Sequence, residues 1–92
     1  MVKIYNWERN EVVRRFGEIE DIGYVEGVEM VDFRGWNDAR RAALDNLRMG
    51  ADRKELDVVY ELTVGEIKID GADYAIAHGF GAKIKPPTNP QT

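Results

Sequence analysis

His78 is the only histidine in the chain, and there is no cysteine among the 92 residues. A lone imidazole can serve as a general base or give one bond to a metal, and its neighbours decide between these roles. If the stretch around it is a strand, His78 projects between Ile76 and Phe80, with Thr63 and Glu61 on the facing strand. One histidine and one carboxylate make a poor metal site, because zinc and its relatives take three or four such ligands. No recognisable nucleophile or oxyanion motif accompanies the pair. A hydrogen-bonded place at an interface therefore suits His78 better than catalysis. No catalytic residue and no metal ligand is assigned, and the cofactor is left open. His78, Glu61, Thr63 and Trp36 are the side chains expected to touch a small-molecule ligand, should one bind.

The other chemistry-bearing groups have plainer explanations. Trp7 and Trp36 could stack on a planar ligand, but Trp36 stands just before a helix, where packing on the sheet rim is the simpler role. Gly79-Phe80-Gly81 looks like part of a phosphate loop, yet it lies inside a strand pattern and opens no helix. Close helix–sheet packing explains these glycines better. Glu18, Glu20, Asp21, Glu26 and Glu29 lack the spacing of a calcium loop and read as a solvated acidic surface. Arg40-Arg41 could hold an anion, but neighbouring acids are the simpler partners.

The element that must position His78 is a long hairpin from Leu56 to Lys85, turning at Asp70-Gly71. Asp-Gly between alternating apolar residues is a strong hairpin signal, because both central residues of the turn need positive φ. Without a bulge, Ile69 faces Ala72 and Ile67 faces Tyr74. One face then carries Val58, Tyr60, Leu62 and Val64 beside Ala75, Ala77, Gly79 and Gly81, a shallow trough for a helix. The other carries Val59, Glu61, Thr63, Ile67 and Ile69 beside Tyr74, Ile76, His78, Phe80, Ala82 and Ile84. That second face is too apolar to stand in water unaided.

The rest of the chain supplies the helix and the flanks. Val2–Tyr5 suits a short strand, and Asn6 is a plausible cap for a short helix over Trp7–Phe16 that ends at Gly17, although Val12–Ile19 also reads as a strand. Ile22–Phe33 alternates as a strand, with Val25, Gly27, Glu29 and Val31 against Tyr24, Glu26, Val28 and Met30. From Asn37 or Asp38 to Gly50 the spacing of Ala39, Ala43 and Leu47 predicts the main helix, with Arg41–Asp45 and Arg48–Asp52 as i,i+4 pairs. The fold expected is α+β: a two-layer antiparallel sheet with one main helix on one face, a β-α-β-β core, and a short N-terminal strand or helix. Residues 1–85 form the single domain, and the proline-rich 86–92 is a flexible tail.

Composition narrows the partners. A net charge of −4 argues against nucleic acid. No apolar run approaches the ~20 residues that span a bilayer. Met1-Val2-Lys3-Ile4-Tyr5 lacks the apolar core of a signal peptide, so the expected location is cytoplasmic, away from membranes.

Asp38-Ala39-Arg40, Ala43-Leu44, Leu47 and Gly50-Ala51-Asp52, then Asp57-Val58-Val59 and Tyr74-Ala75-Ile76-Ala77-His78-Gly79, resemble the YbjQ/RcsF-like group of small domains over roughly residues 24–85. That resemblance implies a β-α-β-β fold and, for free-standing members, ring-like oligomers, with no catalytic residues to carry over. Dodecins share the order of elements but no motif. With the apolar second face, the expected function is a non-enzymatic homo-oligomeric assembly domain, meeting itself through Ile67, Ile69, Tyr74, Ile76, Phe80 and Ile84 and able to hold a small ligand between subunits. The alternatives are a small enzyme with His78 and Glu61 in an inter-subunit cleft, and an adaptor whose sheet face binds another protein.

Overall fold

A computed structural model describes residues 1–86. Beyond Pro86, the tail expected over 86–92 lies outside the described residues. The elements are β1 (Lys3–Ile4), α1 (Arg9–Phe16), β2 (Ile19–Met30), α2 (Trp36–Arg53), β3 (Val58–Ile69) and β4 (Ala72–Ile84). They form one four-stranded sheet in the order β1-β3-β4-β2, with α2 packed on one face: an α+β fold. The sheet is mixed, where an antiparallel one was expected, because β1 runs parallel to β3. The Tyr5–Trp7 backbone continues alongside β3, accepting hydrogen bonds from the N–H groups of Leu62 and Glu61 at 3.0 and 2.8 Å. The N-terminal extension is therefore both a strand and a helix.

The hairpin turns where the Asp-Gly pair requires. Asp70 and Gly71 take φ of 50° and 83°, and Ile69 pairs with Ala72 and Ile67 with Tyr74. The expected register holds as far as Thr63 opposite His78, then slips by one residue between Tyr60 and Thr63. Beyond the slip Tyr60 pairs with Phe80 and Val58 with Ala82. Paired residues share a face, so Val58 and Tyr60 lie on the face away from α2, and Val59 joins the helix-side core. This reverses the faces expected for all three. The cause is a β-bulge in which Glu61 adopts a left-handed φ of 53°. Gly79 permits it: a Cβ there would lie 2.7 Å from the Tyr60 carbonyl oxygen and 2.9 Å from Val59 Cγ1.

Ala39, Ala43, Leu47 and Ala51 form the buried stripe of α2, over Val25, Ala75, Ala77 and Val59. The helix lies chiefly over β2 and β4, and its nearest approach is at Gly27 of β2. Gly50 does not end it, because Ala51 still has to reach the core; the chain leaves through Glu55 at φ 58°, which delivers Leu56 inward. The charge pairs also differ from the i,i+4 expectation. Arg48 binds Asp45, Arg40 reaches Glu66 on β3, and Asp52 accepts the Val2 backbone N–H at 2.9 Å. Among the described residues, no helix is long and apolar enough to cross a membrane.

A second, smaller core lies on the opposite face. Val12 of α1 is fully buried there with Ile19, Val58, Tyr60 and Ala82, flanked by Tyr5, Trp7, Val13, Phe16 and Ile84. An eight-residue helix spans about 12 Å at 1.5 Å per residue, so among the described residues it covers one end of the sheet and leaves the rest open.

Candidate functional site

Past α1, the open face is built from three strands. Tyr24, Glu26, Val28 and Met30 of β2 pair with Phe80, His78, Ile76 and Tyr74 of β4. On the other side Thr63, Gly65, Ile67 and Ile69 of β3 pair with His78, Ile76, Tyr74 and Ala72. Four large side chains of this strip stay substantially in water: Tyr24 at 51%, Met30 at 52%, Ile69 at 47% and Phe80 at 42% exposure. Nine residues of β4 by three strands give a footprint of about 30 Å by about 15 Å at standard strand spacings. At its upper end the rings of Tyr60, Phe80 and Tyr24 follow one another at 5.8 and 6.3 Å between centroids.

Polar groups on the strip are few and gathered in one place. His78 has Glu26 as its partner on β2 and Thr63 on β3, and the Tyr24 ring lies 5.8 Å from the imidazole. The Tyr24 hydroxyl donates to Glu26 Oε2 at 3.1 Å. From the sequence, Glu26 reads only as part of a solvated acidic surface. The alternation of β2 placed it beside Tyr24 and Val28, but no tight turn joins β2 to β4, so nothing local announced His78 as its neighbour.

The structure divides the ligand-contact residues expected from sequence. His78 and Thr63 are direct partners on the open strip. Glu61 sits in the bulge and lines an open groove with Glu8, Arg9 and Asn10 at the start of α1. Trp36 belongs to the other layer, packed against the main core with the Arg40 guanidinium 5.6 Å from its ring. Of the six interface residues, Ile84 is partly covered within the α1 core, while Ile67, Ile69, Tyr74, Ile76 and Phe80 share the open strip. Among the described residues, no three His, Asp or Glu side chains converge as metal ligands would.

The boundary between the α1 core and the open strip is locked by a polar triad. The Tyr60 hydroxyl donates to Asp21 Oδ1 at 2.8 Å, and the Arg9 Nε–H donates to Asp21 Oδ2 at 2.9 Å. Burial, then the bond to Asp21, pushes the Tyr60 phenol up to about 12. The Arg9 bond, then the Tyr60 bond, holds the Asp21 carboxyl below its ordinary value. A raised phenol stabilises the fold below its unfolded value of 10.0, and that contribution is lost as pH rises toward about 12. A depressed carboxyl works in the opposite sense, its contribution disappearing on acidification below the ordinary carboxylate range. Tyr60→Phe should cost about 1.5 kcal/mol at neutral pH, the low end for a hydrogen bond to a charged group because Asp21 is partly exposed. It should also remove the Tyr60 part of the alkaline loss between pH 10 and about 12. Urea unfolding at pH 7 and pH 11 checks both, and equal stability of the two proteins at pH 7 would contradict this role for the triad.

Comparison with known proteins adds no relative: no protein-family model matches the chain, and no curated protein matches it significantly.

Proposed function

We propose that this protein is a non-enzymatic assembly domain that pairs with copies of itself through the open sheet face to form a closed homo-oligomer. The observation that carries the reading is the strip of Tyr24, Val28, Met30, Ile67, Ile69, Tyr74, Ile76 and Phe80, continuous on three strands, half-buried to exposed, and covered by no other element among the described residues. Its footprint of about 450 Å² is in the range of the largest apolar patches on soluble monomers, and such patches mark interaction sites. It is smaller than the ~800 Å² per partner of a standard stable interface, so association in the micromolar range is expected.

A second copy suits the shape of this face. α1 forms a ridge at one end and the other end is open, so a copy turned end for end would place each α1 beyond the hairpin tip of its partner. A two-fold contact of this kind closes on itself and does not grow into fibres. A small molecule held between subunits would meet His78, Thr63 and Glu26. The enzymatic alternative loses support because Glu61 lies in the bulge, and an adaptor role would place another protein on the same strip.

The chain has no cysteine, so a single engineered thiol reports directly on this arrangement. Ile76 lies midway along the open stretch of β4, near the expected two-fold axis. Ile76→Cys should form a disulfide-linked dimer under mild oxidation, while Met49→Cys on the helix layer should not. Equal cross-linking of both, or none, would overturn the end-for-end contact.

A further inference from the structure

β1 and β2 stand at opposite edges of the sheet, so the chain between them has to cross β3 and β4, and α1 is that crossing. Its hold on the sheet is slight. Val12 is its one buried side chain, where α2 buries four, and no side chain caps its N-terminus. Eight residues are too few for a helix to persist in water without tertiary support. Arg14 and Arg15 pair with Glu11 of the same helix. Among the described residues, the ion pair that ties α1 to a strand is Arg9–Asp21, at 2.8 Å.

Two register shifts converge on that tie. β3 carries an extra residue between Tyr60 and Thr63, and β2 carries one between Asp21 and Gly23. Without the first, Tyr60 would point toward the α2 layer; without the second, Asp21 would do the same. With both, the two meet on the α1 face. There the Tyr60 hydroxyl and the Arg9 Nε–H donate to the two oxygens of the Asp21 carboxylate, at 2.8 and 2.9 Å.

We propose that α1 is a latched strap: it opens and closes as a unit over an intact sheet, and the Arg9–Asp21–Tyr60 bonds hold it shut. Both of its ends stay anchored, by the Tyr5–Trp7 backbone beside β3 and by Ile19 opposite Ile84, so the motion is local. Opening bares the buried Val58, Tyr60 and Ala82 and lengthens the apolar strip beyond Phe80. The inference does not depend on self-association.

The test is hydrogen exchange on the full chain, followed residue by residue by NMR at constant pH with and without low urea. The α1 amides from Val13 to Gly17 should be at least about 100-fold less protected than those of Ala75 and Ala77 in the central strand β4. Urea far below the unfolding midpoint should barely change them, because little surface is exposed when the strap opens. Leu47→Val, which thins the core under α2, should speed exchange at Ala75 and Ala77 about tenfold and leave α1 unchanged. Asp21→Asn should speed α1 about tenfold. If α1 shares the protection and urea dependence of Ala75 and Ala77, or speeds up with Leu47→Val, the helix opens only with the whole fold and the proposal is overturned. Rates in α1 unchanged by Asp21→Asn would overturn the latch.

Discussion

Gly27→Ala should cost about 3 kcal/mol, the upper end for overpacking a well-packed site, although it adds a single carbon. An ideal Cβ at this position would lie 2.2 Å from the Ala43 carbonyl oxygen and 2.4 Å from the Leu47 backbone nitrogen. Both are main-chain atoms of α2, so no side chain can rotate away. The helix has to lift from the sheet at the centre of its buried stripe, loosening Ala43 and Leu47, which are both essentially inaccessible. For a domain of this size, whose total stability is of the order of 5–14 kcal/mol, such a loss is a large fraction. Gly50→Ala is the matched control: a Cβ there meets nothing within 4 Å, and alanine in a helix interior should add about 0.5–1 kcal/mol. Urea midpoints measure both. A Gly27→Ala midpoint equal to that of the native protein would contradict the close crossing of α2 over β2.

That crossing shows what the sequence could and could not convey. The small-residue stripe Ala39, Ala43, Leu47 was legible from helical spacing, and so was its need for a shallow trough. The trough was expected in the Ala75–Gly81 row of β4, but only Ala75 and Ala77 join the core under α2, while Gly79 meets Tyr60 and Val59 of β3 and Gly81 meets Leu56, and the tightest point is Gly27 on a strand whose neighbour no turn identified. The Asp70-Gly71 turn was legible because two positive φ angles in sequence have few other solutions. The bulge at Glu61 was not, since Glu61 is an ordinary residue held at positive φ by Gly79 opposite and by the Trp7 carbonyl beside it. Its effect was large: one extra residue moved Val58, Val59 and Tyr60 to the faces opposite those expected, and it carried Glu61 away from His78. His78 and Thr63 escaped this error because they lie between the turn and the bulge, where the local register still held. The Glu26–His78 pairing needed the long-range match of β2 to β4, which strand alternation alone does not supply.

Replacing Ile76 and Phe80 together by Asp should have the largest effect on assembly. Ile76 is at the centre of the open strip, and Phe80 is the 42%-exposed ring that Tyr24 and Tyr60 flank. Taking two unpaired carboxylates into an apolar contact costs several kcal/mol each, more than a footprint of about 450 Å² at ~25 cal/mol per Å² can offset after association costs. Neither side chain belongs to the α2 core, so the fold itself should survive. Light scattering on the native chain at tens of micromolar, beside this double variant, tests the central claim most directly. The account predicts a native mass that is a multiple of 10.5 kDa and a variant that scatters as a folded monomer. A native chain that stays at 10.5 kDa with nothing bound would contradict it.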